Sequence, residues 1–150
     1  MLGAADPPLR VAADLPRIED GRPLLVTTEG SRRQAGLAWV RDVGYAHALA
    51  ADLRKQTDGK AYNVAFEGVS LADLIEAIGR ARAKPVRMVP LAYAELPPGA
   101  SPYGPDPSRS AGYDLTRPRA QLGFAPCALD GFLSDGLPWS PAEHPHQRGS

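Results

Sequence analysis

An α/β fold with some parallel pairing is what this 150-residue sequence predicts, on three observations. Apolar residues recur alternately at strand and helix spacing, giving the order β-α-β-α-β followed by a loop and a helix. Helical crossovers are the usual way of joining parallel strands. Ten of the 16 prolines gather at residues 7–8, 97–107 and 138–145, so the periodic segments between them are largely spared of proline. A chain of this length makes one domain, able to bury roughly 70% of its unfolded surface.

Taken in order, residues 11–19 read as a short helix closed by Gly21, and Leu24-Leu25-Val26 as a strand. Leu37-Ala38-Trp39-Val40 suits a buried strand, whereas Val43, Ala46, Ala50 and Leu53 recur at helical spacing, so a helix runs from Asp42 to about Arg54. Asp42 stands at that junction. A carboxylate there can accept unpaired N–H groups of the first turn and oppose the positive end of the helix dipole, so Asp42 is read as the helix cap. Arg41 beside it either ties the strand end to a neighbouring carboxylate or points to solvent.

"AYNVAF", residues 61–66, reads as a strand entered from an Asp58-Gly59 turn, with Tyr62, Val64 and Phe66 on one face. Ser70 caps the next helix, in which Leu71, Leu74, Ile75 and Ile78 form a stripe that must pack against something. Residues 86–90 resume an extended strand. Thr116 caps a short helix to Leu122, with Gly123 as its left-handed exit. "PPGASPYGPDPSRSAG", residues 97–112, has no apolar period and reads as a proline-rich loop or lid. The domain therefore spans residues 1–136, and residues 137–150 form a loose, polar tail.

Composition narrows the function. The 17 basic and 17 acidic residues cancel, so no global field recruits nucleic acid or an anionic membrane. The single cysteine, Cys127, excludes an internal disulfide framework, and no apolar run approaches the ~18 residues of a spanning helix. With no apolar signal core in "MLGAADPPLR", the cytoplasm is the expected compartment. No G-x-G-x-x-G, P-loop, Gly-x-Ser-x-Gly or zinc-type Cys/His spacing occurs. None of Tyr45, Tyr62, Tyr93, Tyr103 or Tyr113 has a lysine four residues on; the residue at that place after Tyr45 is Leu49. His47 lies within a helix, and His144 and His146 lie in the tail, so no metal is expected.

Three blocks, "WVRDVGYAHALAADL", "GKAYNVAFEGVSLADLIEAIGRA" and "YDLTRPRAQLGFAP", occur in an order that resembles the carboxyl-terminal half of extended short-chain dehydrogenases/reductases (SDRs), the NAD-dependent epimerase/dehydratase family. "LGAADPPLR" and "IEDGRPLLV" look like the segments that follow that family's catalytic lysine, so the resemblance spans about residues 2 to 135. It implies the C-terminal portion of a Rossmann-like fold: a small mixed α/β substrate-binding part lacking the N-terminal nucleotide-binding βαβ units. By this resemblance the chain holds neither the catalytic Tyr-x-x-x-Lys nor the cofactor glycines. NAD or NADP is then expected only with a complementary N-terminal domain, and not with this chain alone.

The function implied is the substrate-binding half of an NAD(P)-dependent epimerase, dehydratase or reductase, acting on a nucleotide sugar or a related small polar or carbonyl substrate and not competent alone. The partners implied are the missing nucleotide-binding half or subunit, or a second copy of the chain. Members of the family hold the substrate diphosphate with an arginine from the loop before the Trp39 strand. In "EGSRRQAGLAWV" that places Arg32 and Arg33, slightly early in register, with Arg33 the better match. A second, Arg-x-x-Asp-like element corresponds to Asp106-Pro-Ser-Arg109, in reversed order. Asn63 would orient a turn. The resemblance leaves open a fragment, a half paired with a separate chain, or a degenerate stand-alone protein.

The alternative is a non-enzymatic RNA-binding or protein-interaction module derived from the same scaffold, suggested by Arg80, Arg82, Lys84 and Arg87. Cations at a helix C-terminus complement its dipole, and sequence-tolerant RNA binding wants interleaved aromatic platforms, of which only Tyr93 is near. Nucleic acid is therefore not the expected partner.

Overall fold

The structure, a computed structural model, describes residue 2 and residues 10–28, 31–96 and 112–136. Most of the proline-rich loop, with Asp106 and Arg109, and the tail with His144 and His146 lie outside the described residues. The elements are α1 (Arg10–Glu19), β1 (Leu24–Thr27), α2 (Val40–Asp52), α3 (Arg54–Thr57), α4 (Leu71–Ala81), β2 (Met88–Leu91), a 3₁₀ turn (Tyr93–Glu95), α5 (Thr116–Leu122) and α6 (Leu129–Gly136).

The sheet is a parallel pair. Leu24, Leu25, Val26 and Thr27 stand opposite Met88, Val89, Pro90 and Leu91. The pairing is extended at its ends by the N–H of Leu24 donating to Arg87 O (2.9 Å) and that of Thr28 to Leu91 O (3.1 Å). Everything from α2 to α4 forms the crossover, which is what parallel strands require. Pro90, which has no N–H to donate, is tolerable because the sheet has only two strands among the described residues, leaving its strand at an edge.

Two expected strands are absent among the described residues. Residues 37–39 are buried, and 62, 64, 65 and 66 are buried or half-buried, yet neither run joins a ladder among the described residues. Trp39 makes one isolated parallel bridge to Leu2, and the second run contributes a single bond, from the N–H of Phe66 to Leu37 O (2.7 Å). Apolar pattern reports burial, and a strand needs in addition a partner whose N–H and C=O groups match in register. β2 also begins two residues late, because the chain before it is still closing α4. Lys84 and Ala83 donate to Gly79 O (2.9 Å) and Arg80 O (3.0 Å), a Schellman closure with Ala83 in the left-handed region at φ 51°.

Helix starts differ as well. α2 begins at Val40 with Trp39 in the cap position and no side-chain cap, so Asp42 is the third residue of the helix instead of its cap. The N–H of Val40, the first of the helix, is taken by Leu2 O (2.9 Å). Thr116 is likewise not a cap: Leu115 occupies that position, and Asp114 Oδ1 accepts the Thr116 N–H (2.8 Å). At α4 the Ser70 hydroxyl accepts the N–H of Asp73 (3.1 Å), while Asp73 Oδ2 accepts both the N–H (2.8 Å) and the hydroxyl (2.6 Å) of Ser70, completing a capping box. Those bonds, the side-chain one foremost, hold the Asp73 carboxyl below its ordinary range.

Leu74, Ile75 and Ile78 of α4 are at most 2% exposed and anchor the main core with Leu15 and Ile18 of α1, Leu24 and Val26 of β1, and α6. Phe132 of α6 meets Trp39 and Phe66 edge-on, with ring centroids 5.9 and 5.7 Å apart. This three-ring contact explains why residues 37–39 and 61–66 are buried without pairing. A smaller cluster of Ala46, Leu122 and Phe124 holds α5 against α2.

Candidate functional site

The turn that carries Arg32 and Arg33, residues 31–34, is pinned between the carboxyl end of β1 and the start of α4. The N–H of Ser31 donates to Thr27 O (3.1 Å), and Ser31 O accepts the N–H of Ala72 (2.9 Å), one of the donors that a helix start leaves without an intrahelical partner. The N–H of Ala35 donates to Val69 O (2.9 Å), and Gln34 bridges Ser70. Both arginines are consequently exposed on a short, well-tied turn. In open α/β sheets the carboxyl ends of parallel strands are where ligands gather.

The two arginines are not equivalent. Arg32 Nη2 lies 3.2 Å from Glu76 Oε1 on α4, and its charge also contributes to lowering the Asp73 carboxyl. The Arg33 guanidinium is not part of that pair. Gly112 comes up against the same turn: the Gln34 side-chain amide occupies the space that a Cβ on residue 112 would fill. At the strand end, Thr27 Oγ1 is buried and has no hydrogen-bond partner among the described residues. A planar guanidinium at such a place can bind a phosphate or carboxylate through two parallel hydrogen bonds.

Other sequence-predicted positions fall into place structurally. Asn63 Nδ2 donates to Asp114 O (3.1 Å), tying residues 61–66 to the approach of α5. Tyr62 donates its hydroxyl to Gln121 Oε1 (3.0 Å), and Lys60 Nζ reaches the same oxygen (3.4 Å). Arg119 and Glu67 form a two-pronged ion pair at the surface, with Nη1 to Oε1 at 2.8 Å. The hydrogen bond and charge of Arg119 draw the Glu67 carboxyl down, and Glu67 in turn raises the guanidinium. Spacing gave no sign of this pair, since its members lie in different blocks of the sequence.

Asp42, placed on α2 away from this turn, binds the N–H of Cys127 through Oδ2 (2.9 Å). Arg41 stacks over the Trp39 ring at 4.8 Å from its centroid. His47 is exposed, with Nδ1 2.7 Å from Val43 O. Among the described residues no three His, Cys, Asp or Glu side chains are placed to hold a metal ion, and no helix is long and apolar enough to cross a membrane.

No known protein family matches the sequence, and no curated protein matches it. Among solved structures the fold is similar to that of UDP-glucuronic acid 4-epimerase from Bacillus cereus, determined in complex with UDP-glucuronic acid and NAD. The TM-score is 0.59 at 16% identity, and the match covers 82% of this chain and 36% of that one. At that identity the likeness is one of fold, a mixed α/β arrangement with a small parallel sheet, and the chain spans little more than a third of the epimerase's length.

Proposed function

We propose that this chain is the substrate-binding part of an SDR-like, NAD(P)-dependent epimerase, dehydratase or reductase, and that its substrate is a nucleotide sugar or a related small polar or carbonyl molecule. The observation that carries the reading is the turn 31–34, which holds Arg32 and Arg33 exposed at the carboxyl end of the parallel strands. Arg33 would bind the diphosphate bidentately and fix the substrate's orientation, with Arg32 adding charge. Asp106 and Arg109 are proposed as further contacts from the segment preceding Gly112. The similarity in fold to an epimerase whose structure holds a nucleotide sugar supports the substrate class.

The described residues do not fit NAD or NADP. A dinucleotide pyrophosphate wants an open helix N-terminus after a Gly-rich turn. The N-terminus of α4 is filled by the Asp73 carboxylate, and the first N–H of α2 is taken by Leu2 O. We therefore assign the cofactor to a complementary nucleotide-binding half or subunit and place no chemical step on this chain. Exposed Leu25, Val40 and Tyr45 are surface that such a partner, or a second copy, would cover.

Calorimetric titration tests the proposal. UDP-glucuronic acid should bind, and Arg33→Ala should weaken it, while NAD and NADP should give no saturable heat. A low-micromolar Kd for either dinucleotide, or nucleotide-sugar binding indifferent to residue 33, would overturn it.

A further inference from the structure

Residues 80–87, at and beyond the end of α4, carry Arg80, Arg82, Lys84 and Arg87. Arg82 lies 3.8 Å from Glu19, whereas Arg80 and Lys84 are exposed and flank two clefts. The larger, about 630 Å³, lies between α4 and α6 and is lined by Ala77, Ala81 and Leu133 together with Arg80, Arg82 and Asp130. The smaller, about 420 Å³, has Gly79 and Val86 on its apolar side and Lys84 on its charged side. Arg80 lines both, so it stands where the two meet.

We propose that this face docks an acidic peptide segment of a partner protein. Charge favours it: of the acidic groups near Arg80 and Lys84, Glu76 is engaged by Arg32 and Asp73 by the Ser70 cap, and Asp130 faces only the larger cleft. The shape of the face favours a polypeptide too. The small side chains of the exposed Ala81 and Ala83 let an extended backbone approach closely, and Leu133 and Val86 offer apolar contact to one or two side chains of the segment. RNA would want stacking platforms, and none of the residues lining either cleft is aromatic. The face is also held in shape, because Val86 packs directly over Gly79 and Lys84 closes the Schellman turn, so little ordering is left to be done on binding.

The test is fluorescence anisotropy with a fluorescein-labelled peptide of Glu-Glu-Leu repeats at low salt. The peptide should bind with a micromolar Kd that weakens as salt rises. Arg80→Glu combined with Lys84→Glu should weaken it by about tenfold or more. Ala81→Glu, at an exposed helical position, should do the same without touching the core, whereas Arg54→Glu on α3 should leave it unchanged. Failure of the wild-type protein to bind the peptide, equal binding by Ala81→Glu, or displacement of the peptide by a tighter-binding oligouridylate would each overturn the proposal. None of these readouts involves a nucleotide sugar, so the outcome is independent of the function proposed for the arginine turn.

Discussion

The Asp42 carboxylate accepts the backbone N–H of Cys127 at 2.9 Å, joining the first turn of α2 to the segment that leads into α6. Asp42 is 9% exposed, so removing its carboxylate would strand a donor with little access to water. Asp42→Ala is expected to destabilise the protein by about 1–3 kcal/mol. Asp42→Asn, which keeps an acceptor oxygen, should cost less. Urea unfolding with the m-value held in view measures both.

The capping box at α4 makes stability depend on acid. Because the Asp73 pKa is lowered in the folded state, its contribution is present above the unfolded value of about 3.9 and is lost as pH falls through the folded value. Asp73→Asn should flatten the stability profile in that acidic window. Ser70→Ala should cost about 0.5–2 kcal/mol near neutrality, through the lost cap. Equal slopes for wild type and Asp73→Asn below pH 4 would dismiss the linkage.

Two neighbouring positions at the end of α4 should respond in opposite directions. Ala83 pays for a left-handed backbone, which costs a residue with a Cβ about 1–2 kcal/mol, so Ala83→Gly should stabilise by about 0.5–1 kcal/mol after the entropy of glycine is counted. Gly79→Ala would drive a methyl into Val86 and to 3.0 Å from Lys84 O, and should destabilise by about 1–3 kcal/mol. Thermal unfolding of the pair decides.

At the arginine turn, Arg33→Ala should weaken a diphosphate-bearing ligand by about 1.5–3 kcal/mol, a tenfold to hundredfold rise in Kd. Arg32→Ala should do less, Arg33 being the better match in register to the proposed contact. Calorimetric titration of both variants ranks them, and the reverse order would shift the contact to Arg32.

The sequence revealed burial better than it revealed pairing. The α4 stripe, the Ser70 cap and the Gly123 exit could all be read, because each rests on residues within one or two turns of each other. The strand readings at 37–40 and 61–66 failed on pairing, which depends on a partner distant in sequence. Asp42 and Thr116 misled because each helix starts earlier than polar residues suggest: Trp39 and Leu115 hold the cap positions, and Leu2 O and Asp114 accept the first N–H of α2 and α5. α6 was missed, since "LDGFLSDG" carries two glycines and few apolar positions, and its helical state is supported by packing of Phe132 and Leu133 on the core. At the site, Arg32 and Arg33 were legible as charges, but the Glu76 pairing that separates them appears only when α4 is folded beside the turn.

The β1–β2 pair has a kinetic implication. Its partners lie on the order of sixty residues apart, so closing that loop costs about 2.5 kcal/mol more in chain entropy than closing a four-residue hairpin. The i→i−4 bonds inside the crossover helices are local and can form earlier, which leaves the strand pair and the long-range ties at the helix starts to consolidate late in folding. Substitutions in Val26 or Val89 should then act mainly on the unfolding rate, and those in Leu74 or Ile78 on the folding rate. A chain ending between α4 and β2 would lose the strand that closes the fold together with α5 and α6, and with α6 the ring of Phe132 that covers the core.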